Sequence, residues 1–105
     1  MSYKVKFSDV AIKDISRMTN DVYAACLDKR TTNEYVNGLI KKINEKAVFP
    51  ESGIPLLLSK KPTEHRYIIY KSYLAFYRIK GNDLIVERVL FGKSEYLKYL
   101  LIEEN

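Results

Sequence analysis

A chain of 105 residues with 47% hydrophobic and 30% charged side chains holds one hydrophobic core, not two, and falls among ordinary globular domains and not disordered chains. Its formal charge of +5 and pI near 9.3 point to an anionic partner: RNA, DNA, a phospholipid surface or an acidic protein. One cysteine, no signal-peptide centre and no run near the ~20 apolar residues of a membrane span exclude a disulfide framework and a membrane protein, and predict a soluble cytoplasmic domain over 1–105.

"YKVKF", Tyr3 to Phe7, alternates apolar and basic residues and reads as a half-buried strand. Ser8 is a suitable N-cap and Asp9 suits the positive end of a helix. Ile15, Met18, Val22 and Ala25 then recur at helical spacing, with Cys26 expected among them in the core. A second helix is predicted from "TTNE", where Thr31 and Glu34 fit a capping box. Its apolar stripe is Val36, Leu39 or Ile40, Ile43 and Ala47. So few residues join the two helices that they should pack as an antiparallel hairpin.

Phe49 to Glu64, with three prolines and Gly53, reads as a loop. Three strands follow, Arg66–Tyr70, Tyr73–Ile79 and Leu84–Leu90, turning at Lys71-Ser72 and at Gly81-Asn82. "KSEYLKYLL" reads as a short C-terminal helix. The expected fold is α+β in two layers: a small, mostly antiparallel sheet backed by the N-terminal helix hairpin, in the order β-α-α-β-β-β-α. The other sheet face then needs a cover, either the C-terminal helix or a partner.

Cations gather in the strand region: Lys60, Lys61, Arg66, Lys71, Arg78 and Lys80 against a single Glu64, interleaved with tyrosines. Such a pattern can stack on bases and neutralise phosphates; the same residues also serve a plain Tyr-rich hairpin with solubilising lysines. "FGKSEY" lacks the upstream glycine of a phosphate loop. One cysteine and one histidine give no metal spacing, and no cofactor is implied. A metal-free ribonuclease needs only a base, an acid and cations at the phosphate. His65 or Glu51 are candidate bases, Tyr96 or Tyr99 candidate acids, and Arg66, Arg88 or Lys93 candidate clamps. His65 and Glu51 also fit ordinary surface positions. Arg88, between Val86 and Leu90, demands a counter-charge. Glu87 cannot supply it, because alternation puts it on the opposite face.

Three stretches, "YKVKFSDVAIKDI", "FPESGIPL" and "HRYIIYKSYLAFYRIKGNDLIVERVLFGKSEYLKYL", resemble the RelE/ParE superfamily of bacterial toxins along nearly the whole chain and in order. The resemblance implies the toxin half of a type II toxin–antitoxin pair, inhibiting growth until a cognate antitoxin covers its sheet. RelE-type members cut ribosome-bound mRNA with sheet cations and C-terminal residues. By that resemblance Arg66, Arg88 and Lys93 with Tyr96 or Tyr99 are the catalytic set. Lys60, Lys61, His65, Lys71 and Arg78 join Arg66 in binding the target or its phosphates. Leu74 and Ser94, however, stand where that branch commonly has arginines. ParE-like members inhibit DNA gyrase by binding, and the "VERVLFGKSEYLKYL" ending resembles theirs more. A relative that binds only an antitoxin or DNA is the third reading.

Overall fold

The computed structural model describes residues 2–92. Strand β1 (Lys4–Phe7) leads into helices α1 (Asp9–Cys26) and α2 (Lys29–Lys46). A 3-10 turn (Pro50–Ser52) follows, then strands β2 (Ile54–Leu58), β3 (Lys61–Tyr70), β4 (Tyr73–Lys80) and β5 (Asp83–Phe91). The sheet runs β1-β5-β4-β3-β2; β1 lies parallel to β5 and the other pairs are antiparallel. The two-layer α+β architecture with a helix hairpin on a mostly antiparallel sheet is therefore as the sequence predicts. The order through residue 92 is β-α-α-β-β-β-β, and the predicted C-terminal helix falls outside the described residues.

Local chemistry sets the helix ends. Ser8 is extended, its hydroxyl accepts the Ala11 N–H at 3.0 Å, and α1 begins. The second helix starts earlier than predicted. Asp28, not Thr31, is its cap, accepting from the Arg30 N–H, while the Thr31 hydroxyl donates to the same carboxylate. Glu34 pairs with Arg30 instead of closing a capping box.

The expected loop is half sheet. Pro55 and Pro62 suggest a loop, yet Ile54–Leu58 forms an edge strand, where a missing N–H is tolerated. Ser59 and Lys60, with φ of 52° and 67°, make the tight reversal into β3.

Ala11, Met18, Leu39, Ile43 and Ala47 from the helices meet Ile68, Ala75, Tyr77, Leu84, Val86 and Val89 from the sheet. A smaller cluster, Leu56, Phe76 and Leu90, forms on the other face with Tyr67 and Leu74. Strict alternation along β5 would set Leu90 beside Leu84 and Val86. A bulge changes this, because Tyr77 pairs with Val86 but Phe76 pairs with Arg88, leaving Glu87 as the extra residue.

The core-facing stripe of α1 outruns the sheet. Val22 is half-buried, but Ala25 and Cys26 are exposed, which corrects the core placement of Cys26. Leu27 ends the helix in the left-handed region, φ 54° and ψ 33°, its N–H bonded to the Tyr23 carbonyl at 2.7 Å. That conformation costs a non-glycine residue about 1–2 kcal/mol. No helix among the described residues is long and apolar enough to cross a membrane.

Candidate functional site

The bulge in β5 sends two adjacent charges in different directions. Glu87 turns to the face away from the helices, where cross-strand pairing sets His65 of β3 beside Arg78 of β4. His65 Nε2 donates to Glu87 Oε2 at 2.7 Å, and Arg78 Nε donates to Glu87 Oε1. The His65 hydrogen bond holds the Glu87 carboxyl below the ordinary glutamate range; burial opposes this and the Arg78 bond adds to it. His65 is 6% exposed, so it is not the surface-strand residue its sequence position suggests. Its ring is turned inward onto the carboxylate.

Arg88 goes the other way. Its Nε and Nη2 donate to the two carboxylate oxygens of Asp14 at 2.8 and 3.2 Å, and both residues are buried. Asp14 Oδ2 also accepts the Val89 N–H at 3.0 Å. Strand β1 pairs with β5 only from Asp83 to Val86, so beyond that point α1 supplies the missing edge. Ser8 bonds to the Val86 and Glu87 carbonyls, and Asp14 takes the next free N–H. The demand of Arg88 for a counter-charge is thus met, and not by Glu87. Sequence reasoning missed Asp14 itself. It stands three residues after Ala11 and four before Met18, inside the apolar stripe, and an acid there also demands a partner. Matching the two demands would have paired it with Arg88.

The remaining cations do not converge. Arg66 pairs across the strands with Tyr77, on the helix side, so it and His65 project to opposite faces. Its Nη1 donates to the Gly53 carbonyl at 3.2 Å, tying the segment before β2 to the sheet. Tyr77, fully buried, donates its hydroxyl to the Pro50 carbonyl, and burial pushes its pKa up. A Cβ on Gly53 would overlap that hydroxyl. Lys71, at the β3–β4 turn with φ 53°, holds its ammonium 5.4 Å from the Tyr35 ring centre and 5.8 Å from that of Tyr70. Lys60 and Lys61 are exposed at the β2–β3 turn and Glu51 is exposed in the 3-10 turn; none of the three enters an ion pair among the described residues. Lys93, Tyr96 and Tyr99 lie outside the described residues.

The arrangement brings His65 and Arg78 together on Glu87, and separates both from Arg66 and Arg88. A base facing a cation across an open phosphate-sized space is not assembled among the described residues. No group of His, Cys, Asp or Glu among them is placed to hold a metal ion.

Comparison with known proteins finds that a family model described as "ParE toxin of type II toxin-antitoxin system, parDE" matches residues 5–96. Among solved structures, the chromosomal ParDE system from P. aeruginosa contains a chain with a TM-score of 0.69 and 14% identity. The match covers 86% of this chain and 96% of that one. The toxin–antitoxin complex RelBE2 from Mycobacterium tuberculosis contains another, at TM-score 0.56 and 20% identity, covering 87% and 92%. YafQ from E. coli follows at 0.47 and 18% identity, covering 85% and 92%. No individual curated protein matches the sequence.

Proposed function

The chain belongs to the ParE family of type II toxin–antitoxin toxins, and from that premise we propose that it arrests growth by binding DNA gyrase, with no bond-making chemistry of its own. A cognate antitoxin holds it inactive. The observation that carries this reading is the internal use of the sheet's charged groups. Arg88 is bound by Asp14, Arg78 and His65 are bound by Glu87, and Arg66 reaches the Gly53 carbonyl on the helix side. A nuclease site needs such groups aimed at substrate, whereas a binding protein can use them to hold a surface in shape.

The antitoxin reading draws support from apolar side chains left open along the sheet. Ile54, Leu57 and Ile69 are each 43–52% exposed, and Lys60 and Lys61 flank the β2 edge. An acidic segment that folds on contact suits such a surface. The ribonuclease alternative rests on Lys93 with Tyr96 or Tyr99, joined by the exposed lysines of the β2–β3 turn.

The test is paired. Purified protein is added to gyrase with relaxed plasmid, and separately to a translation extract carrying a reporter mRNA read by primer extension. Blocked supercoiling with an intact message supports the proposal. New ribosome-dependent cuts with unimpaired gyrase overturn it in favour of an endoribonuclease. Expression without growth arrest would point to the non-toxic relative.

A further inference from the structure

We propose that the apolar tip of the helix hairpin grips the toxin's target, and that the partner is a folded protein presenting an apolar pocket rimmed by carboxylates. The inference rests on the reading above only in taking the target to be a protein.

Tyr23, Ala24, Ala25, Cys26 and Leu27 are consecutive, uncharged and all exposed. A run of that length on the surface of a domain that buries its other helix stripes is a feature to be explained by contact. Leu27 makes the case sharper. It is 74% exposed, so its side chain gains little from the fold, and it sits in a backbone conformation that glycine or asparagine would adopt more readily. Neither local structure nor packing asks for leucine there.

The shape beneath the tip also fits a partner. Because α1 outruns the sheet, a cleft of about 440 Å³ opens under it, walled by Val22, Ala25, Tyr35, Tyr73 and Phe91, with Asp21 at its side. A smaller depression of about 220 Å³ lies between the helices and brings Tyr23 beside Lys29. On the α2 side the tip carries two exposed cations, while the exposed Asp21 lies on the cleft side. Lys29 and Arg30 open α2, and the Asp28 carboxylate is already engaged in capping. The only ion pair Arg30 makes among the described residues is the exposed one with Glu34. Carboxylates on the partner therefore complement the collar. Thr19, Asn20 and Asn33 line the depression with directional hydrogen-bonding groups, which suits a folded protein and not acyl chains.

Leu27→Gly removes the side chain while easing the backbone, so the variant should fold with an unchanged or raised melting temperature. Tyr23→Ser and Lys29→Glu probe the neighbouring contacts. Each is induced without antitoxin and scored for growth arrest, and each is purified for the supercoiling assay. Growth inhibition weakened about tenfold or more in Leu27→Gly, the loss expected of a central apolar contact, with folding intact, supports the inference. It does so even if the wild-type protein leaves supercoiling untouched; in that case the gyrase reading fails and the tip remains the gripping surface of another protein target. Full growth arrest in both Leu27→Gly and Tyr23→Ser overturns it. So does wild-type binding to phosphatidylglycerol vesicles, or a wild-type dimer, that Leu27→Gly abolishes.

Discussion

The two charge clusters flanking the β5 bulge are built from the same kinds of side chain and serve differently. Asp14 and Arg88 form a two-hydrogen-bond pair sealed between helix and sheet, and Asp14 also satisfies a main-chain N–H of β5. Glu87 instead shares one carboxylate between His65 and Arg78, with side-chain exposures of 17%, 8% and 31%. The first cluster replaces a missing strand neighbour. The second spans three strands on the face away from the helices. A sheet arginine is therefore not a substrate ligand by virtue of its charge alone; what stands behind it decides.

The largest expected effect tests the sealed pair. Asp14→Ala leaves Arg88 buried without this carboxylate and the Val89 N–H unsatisfied, and should cost about 3–5 kcal/mol in urea unfolding. The double change Asp14→Leu with Arg88→Met should recover most of that loss. A double variant no better than Asp14→Ala would mean the pair contributes more than charge balance. Arg88→Ala alone is a poor probe of phosphate chemistry, because it strands Asp14 and loses folding together with function.

A smaller effect is expected on the face away from the helices. Glu87→Gln removes the charge shared by two donors and should cost about 1–2 kcal/mol at pH 7. The pH dependence follows from the lowered Glu87 pKa. A carboxyl held below its unfolded value contributes stability that is present above the ordinary glutamate range and disappears as pH falls through the depressed value. Wild-type stability should therefore decline on acidification below about pH 4.5, and Glu87→Gln should flatten that decline. Identical slopes for the two proteins would remove Glu87 from the account.

The smallest effect separates both clusters from the exposed lysines. Lys60→Ala with Lys61→Ala should change stability by no more than about 0.5 kcal/mol. If the ribonuclease alternative holds, the same change weakens association with RNA and reduces its salt dependence. If the target is a protein gripped at the hairpin tip, growth arrest should be unaffected.

Periodic signals made much of the fold legible. Ser8, the Met18 and Leu39–Ile43 stripes, and the Gly81-Asn82 turn each act through neighbours a few residues away. The β2 edge was hidden because Pro55 and Pro62 break a pattern in isolation, while Pro55 sits on the edge strand and Pro62 where β3 has only β2 beside it. The early start of α2 was hidden because Asp28 competes with Thr31 for the cap and both are good cap residues. Within the candidate site, the need of Arg88 for a partner was legible but the identity of that partner was not. The face of Leu90 depends on a bulge that no alternation rule contains. Cys26 was misplaced for a related reason: a helix stripe does not record where the opposing sheet stops.

Strand β1 takes its place beside β5, Lys4 against Asp83 and Phe7 against Val86. Among the described strands, the first in the chain is therefore seated by the last. During synthesis the helix hairpin and the β2–β4 meander can form from nearby residues, but the β1 docking site does not exist until β5 has emerged. The β1–β5 pairing spans about eighty residues of sequence, the non-local kind of contact that slows folding. A chain cut short before Asp83 has no strand for β1 and no Arg88 for Asp14, so incomplete translation products cannot acquire the finished surface.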